Sequence, residues 1–119
     1  MDFDKYQQQA MTFCTPESNN PTYMLLGLNE EVGELTGKFA KAVRKGILKP
    51  DLSPNVGETN DELMKFYEDF EKEIGDVMWM VAGLHNVLNK RMETSARLNI
   101  KKLTDRKKRG VIVGEGDNR

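Results

Sequence analysis

The chain has 119 residues, 18 basic against 19 acidic side chains, a net charge of −1, one cysteine and one histidine. That balance argues against a basic nucleic-acid binder, and the two counts exclude an intramolecular disulfide and a Cys/His zinc site. No apolar run approaches the roughly 18 residues of a membrane span, and Met1-Asp2-Phe3-Asp4-Lys5 is no secretory signal, so the expectation is one soluble cytoplasmic domain over residues 1–119.

The first predicted element starts at Asp4, with Gln7 completing a capping box and Phe3, Tyr6, Ala10 and Phe13 forming its apolar stripe. Thr15 to Pro21 reads as a loop. Asn20 is placed to cap the second helix, with Pro21 at its first position, and that helix runs to Gly46. Its seam is Leu25, Leu28, Val32, Leu35, Phe39 and Ala42, in alternating steps of three and four. Pro50, Pro54 and Gly57 mark residues 47–60 as a connector.

Thr59 and Glu62 form a capping box for the third helix. Leu63, Phe66, Phe70, Ile74, Val77, Val81, Leu84 and Leu88 make its seam, and Asn89 ends it. The fourth helix is expected to turn Met92, Ala96, Ile100 and Leu103 inward. It carries a basic run from Lys101 to Arg109. The remaining tail, within residues 108–119, is expected to be extended or loose. With no convincing strand, the pattern predicts an all-α protein, a four-helix bundle-like fold that oligomerises to bury more surface.

The chemistry lies beside the seams. Glu31 precedes Val32 and Glu34 precedes Leu35, so both carboxylates share one offset from the buried stripe. Lys38, four residues after Glu34, can offset only one of them. The third helix repeats the device, with Glu73 before Ile74 and Asp76 before Val77. Packing the two helices brings four carboxylates to one edge of the core, where they repel unless a cation joins them. Oxygen-only ligation suits Mg²⁺, with Mn²⁺ as the alternative, and Mg²⁺ commonly shares its coordination with substrate phosphates. On the fourth helix Asn99 precedes Ile100, Lys102 precedes Leu103, and Arg106 follows four residues on. That stripe offers an amide, an ammonium and a guanidinium for phosphate oxygens. Taken singly, each group reads more readily as a solvated charged face; the offset shared across three helices is what points to a site.

Glu30-Glu31-x-x-Glu34 followed by Glu73-x-x-Asp76 resembles the double acidic motif of the MazG-like nucleotide pyrophosphohydrolases, all-α enzymes related to the dimeric dUTPases. Tyr6-Gln7-x-x-Ala10 is similar to that family's first helix, and Asn99-Ile100-Lys101-Lys102-Leu103 with Arg106 to its fourth. The connector departs from the family pattern and looks like an insertion. The resemblance implies hydrolysis of a (deoxy)nucleoside triphosphate to the monophosphate and pyrophosphate, for pool control or house-cleaning. It implies metal ligation by Glu31, Glu34, Glu73 and Asp76, with Glu30 or Glu34 orienting the attacking water. Asn99, Lys102 and Arg106 are then phosphate contacts, with Gln7, Trp79 and Met80 on the nucleoside side. His85 is read as structural. The implied partners are a nucleotide and further copies of the chain, as homodimer or homotetramer, with no membrane and no nucleic acid. Two other classes fit the residues less well: a non-catalytic helical interaction module, and a nucleic-acid binder using residues 101–109.

Overall fold

Asn20 accepts a hydrogen bond from the Tyr23 backbone N–H at 2.8 Å, and Pro21 follows at the first helical position. This is the start expected for the second helix, and it is found in the computed structural model, which describes residues 1–55 and 60–119. Four α-helices follow one another: α1 (Phe3–Ala10), α2 (Pro21–Arg44), α3 (Asn60–Val87) and α4 (Met92–Arg109). A short 3₁₀ turn, Met11–Phe13, extends α1. No strand occurs among the described residues, and the all-α expectation holds.

α2 and α3 form a long antiparallel hairpin. Their crossing is tight because each supplies a glycine where the other supplies a methionine. A Cβ on Gly27 would lie 2.7 Å from the Met80 sulfur, and one on Gly83 would collide with that of Met24. Met24 is fully buried there. The hairpin is anchored by apolar clusters towards its two ends. One gathers Ala10, Ala82 and Met92, with Tyr6, Met11 and Trp79 against them. The other gathers Ala42, Leu48 and Phe66, with Phe39, Ile47 and Leu63. Phe39 meets Phe66 and Phe70 edge to face, at 5.1 and 5.5 Å between ring centres.

The connector is ordered as far as it is described. Leu48 bridges Pro54, and Asn55 returns hydrogen bonds to the Ile47 and Gly46 carbonyls. Leu52 takes a positive φ of 68° at the tip. This small turn carries Leu48 into the core. Thr59, half of the expected capping box, lies outside the described residues.

Several local expectations are corrected. The cap of α1 is Asp2, which accepts from the Lys5 N–H at 2.8 Å, rather than Asp4. Asp4 is instead paired with Arg91. Phe3, Phe13, Leu25, Val32 and Leu88 are exposed although each was placed in a seam. Of the four residues expected inward on α4, Met92 and Ala96 are so placed; Ile100 is 64% and Leu103 39% exposed. The physical reason is that α4 packs against α1 and α3 but makes no contact with α2 among the described residues. Its second half therefore has no neighbouring helix to bury that face. The radius of gyration is 17.8 Å, against about 13–14 Å for a compact domain of this length.

Beyond α4 the tail makes hydrogen bonds within itself and back to the helix. Gly110 closes α4 with a φ of 70°. Arg119 then donates to the carbonyls of Val111, Ile112 and Gly116, and Arg109 donates to the carbonyl of Arg119. Asp117 is folded back onto Lys102 and Arg106.

Candidate metal centre

Helix periodicity places Glu31 on α2 opposite Glu73 and Asp76 on α3. One carboxylate oxygen from each of the three lies within 4.8 Å of those of the other two. The Oε2 atoms of Glu31 and Glu73 are buried and have no hydrogen-bond partner among the described residues. A buried carboxylate oxygen without a donor is costly, and a cation is the partner that satisfies two such atoms at once. The Glu31 carboxyl is pushed above its usual range, first by burial and then by the charges of Glu34, Asp76, Glu30 and Glu73. A site of three carboxylates, two of them with an unpaired buried oxygen, fits a hard divalent ion such as Mg²⁺.

The fourth expected ligand, Glu34, stays outside this trio and is exposed, although its charge acts on Glu31. Glu30 is also exposed. Lys38 does not relieve Glu34 as its position in sequence suggested. It crosses to α3, where its Nζ lies 3.6 Å from Glu73 Oε1. The Tyr6 phenol is raised by burial and then by the charge of Asp76, which places α1 beside the trio. Tyr6 was legible only as a core residue, because an aromatic at a helical spacing carries no sign of the charge it will face.

The remaining expected residues have other partners within the chain. The Gln7 amide is occupied at both ends: its Nε2 donates to the Lys90 carbonyl at 2.9 Å, and its Oε1 accepts from the Met92 N–H at 2.8 Å. It clamps the start of α4. Trp79 donates from Nε1 to the Ala10 carbonyl at 3.0 Å and packs in the core at that end. Met80 is buried against Gly27. His85 is structural as expected, with Nδ1 against the Val81 carbonyl and Nε2 against Ser95 Oγ, each at 2.8 Å.

The basic stripe does not join the carboxylates within one chain. Asn99 is exposed. Lys102 Nζ and Arg106 Nη2 converge on Asp117 Oδ1, at 2.9 and 3.0 Å, and Arg106 also donates to the Asp117 carbonyl at 2.6 Å. These bonds hold the Asp117 carboxyl below its usual range, Lys102 contributing more than Arg106. Arg106 is only 5% exposed, and its buried Nε has no partner. Asp117 was missed in the sequence because an acid in a short polar tail has no periodicity to place it.

No helix among the described residues is long and apolar enough to cross a membrane. No solved structure matches this chain. The chain is 39% identical over 98 residues to the "Gene 37 protein" of Mycobacterium phage L5, covering 82% of this chain and 75% of that protein. The model of the MazG nucleotide pyrophosphohydrolase domain matches residues 19–111, a span that contains both acidic pairs and the basic stripe. With Glu31 facing Glu73 and Asp76 across the α2–α3 hairpin, the chain belongs to the MazG nucleotide pyrophosphohydrolase family.

Proposed function

We propose that this protein is a Mg²⁺-dependent hydrolase that cuts (deoxy)nucleoside triphosphates into the monophosphate and pyrophosphate. The observation that carries the reading is the trio Glu31, Glu73 and Asp76, with two buried carboxylate oxygens that lack a donor. These three residues hold the ion, and Glu34 stands at its edge. Such a cation neutralises the triphosphate and makes water at the site more acidic. Glu34 or Glu30, exposed beside the trio, orients that water and accepts its proton. The water oxygen bonds to the α-phosphorus, the bond from that phosphorus to the bridging oxygen breaks, and pyrophosphate leaves with the electron pair.

Lys102 and Arg106 serve as phosphate contacts once Asp117 yields its place, with Asn99 beside them. The exposed Leu25, Val32, Ile100 and Leu103, and the flat, open outline of 47 × 45 × 27 Å, support a homodimer or homotetramer that covers these faces. In such an assembly α4 of one copy can approach the carboxylates of another. The reading places the enzyme in the cytoplasm, in nucleotide-pool control or house-cleaning.

The test is a panel of canonical and modified nucleotides with Mg²⁺ or Mn²⁺, run in ¹⁸O-labelled water. Pyrophosphate should be released and the label should appear in the monophosphate. Label in pyrophosphate, or orthophosphate as the sole inorganic product, would refute cleavage at the α-phosphorus.

A further inference from the structure

The two helix faces that carry the carboxylates continue beyond them towards the connector. On α2 the stripe Glu31 and Glu34 runs on through Lys38, Lys41 and Lys45, in steps of three, four, three and four. On α3, from Asp76 and Glu73, it runs back through Asp69, Lys65 and Glu62, in steps of three, four, four and three. Such steps keep side chains on one helix face. The shared face is therefore acidic at its centre and rich in lysine at its far end.

At that far end lies a cavity of about 380 Å³, lined by Lys38, Lys41, Lys45 and Lys65, with Glu62 and Asp69 and a floor that includes Phe66. Lys38 joins it to the metal centre, since this residue lines the cavity and its Nζ lies 3.6 Å from Glu73 Oε1. Lys41, Lys45 and Lys65 are exposed and make no ion pair among the described residues. Four ammonium groups against two carboxylates leave the cavity positive. Lysine stems can lie along the apolar floor while their heads stand in the cavity, and an ammonium is a point-charge partner for phosphate oxygens. At 1.5 Å of rise per residue, Lys38 and Lys41 stand about 6 and about 10 Å beyond Glu34 along α2. A phosphate chain that begins at the trio meets them in turn.

We propose that this lysine pocket binds the pyrophosphate end of the substrate. The nucleoside then points the other way, towards α1 and Tyr6. As the bridging bond breaks, the lysines neutralise the charge that develops on the departing pyrophosphate. The link to turnover rests on the hydrolase reading; pyrophosphate binding by the pocket does not.

The experiment is calorimetric titration of pyrophosphate into the full chain in a metal-free buffer, followed by product inhibition with Mg²⁺ and nucleotide. Lys38 is left intact because of its contact with Glu73. The triple variant Lys41→Ala, Lys45→Ala and Lys65→Ala should keep its melting temperature, since all three side chains are exposed. It should bind pyrophosphate at least about tenfold more weakly, as loss of charge-assisted contacts requires. Inhibition of turnover by pyrophosphate should weaken by a similar factor, while inhibition by the monophosphate stays unchanged. A control variant, Lys101→Ala, Lys107→Ala and Lys108→Ala, should bind pyrophosphate as the wild type does. Equal losses in the two triple variants, wild-type binding by the pocket variant, or no binding by the wild type would each overturn the proposal. Loss of pyrophosphate binding in the pocket variant of a protein that hydrolyses no nucleotide would leave the pocket standing and remove the hydrolase reading instead.

Discussion

The α2–α3 hairpin and the second half of α4 carry the same kind of pattern. Each sets functional groups one position before an apolar seam. In the hairpin the device works: Glu31, Glu73 and Asp76 meet within 4.8 Å. In α4 it does not, and Lys102 and Arg106 are held by Asp117 of their own tail. The difference is whether the helix face is packed against the helix it must meet. Val32 is 42% exposed, but Leu28, Leu35, Ile74 and Val77 are at least half-buried where α2 and α3 pack, so the faces there have a fixed direction in space. Ile100 and Leu103 face outward, so an offset from them fixes only a position on a cylinder. A shared register is informative only when the helices that carry it pack against each other.

The largest expected effect is in the hairpin. Glu73→Gln and Asp76→Asn each keep the shape of the side chain and remove a charge from the trio. Turnover at saturating Mg²⁺ should fall more than about 100-fold, beyond the range typical of groups that only support a ligand. Circular dichroism should show that the variants stay folded. Near wild-type turnover in either would detach the trio from the chemistry and erase the contrast with α4.

The α4 side of the contrast is tested by its exposed seam. In the proposed assembly Ile100 and Leu103 are covered by another copy. Ile100→Ser with Leu103→Ser should then shift sedimentation towards the 13.6 kDa monomer and remove the concentration dependence of melting. Unchanged mass would mean that this face is solvent-facing in solution too, and that α4 supplies nothing across an interface.

A smaller effect comes from proton linkage at Glu31. Its folded carboxyl titrates above the ordinary 4.5, with burial as the main cause. The folded chain therefore holds this proton more tightly than the unfolded chain does. In metal-free buffer the group costs stability increasingly as pH rises from about 4.5 through its raised folded value. Glu31→Gln should raise the metal-free melting temperature at pH 7 and flatten its fall across that window. Mg²⁺ should stabilise the wild type more than the variant. A lower metal-free melting temperature for the variant at pH 7 would show that the carboxylate is not strained.

Much of this protein was legible in its sequence because the physics involved is local. The Asn20–Pro21 start, the end of α2 before Gly46, the all-α class and the offset of the acidic pairs follow from capping chemistry and helical period alone. Family membership follows from the same motifs in order. What required tertiary structure was every fact that depends on which element lies against which. Glu34 falls outside the trio, Lys38 crosses to Glu73, and the Gln7 amide is consumed at the start of α4. Trp79 is tied to Ala10, and the tail folds back to neutralise Arg106. Periodicity says which side chains share a face, but long-range packing decides what that face meets. That packing depends on close fits such as Met24 over Gly83, which spacing along the chain cannot register.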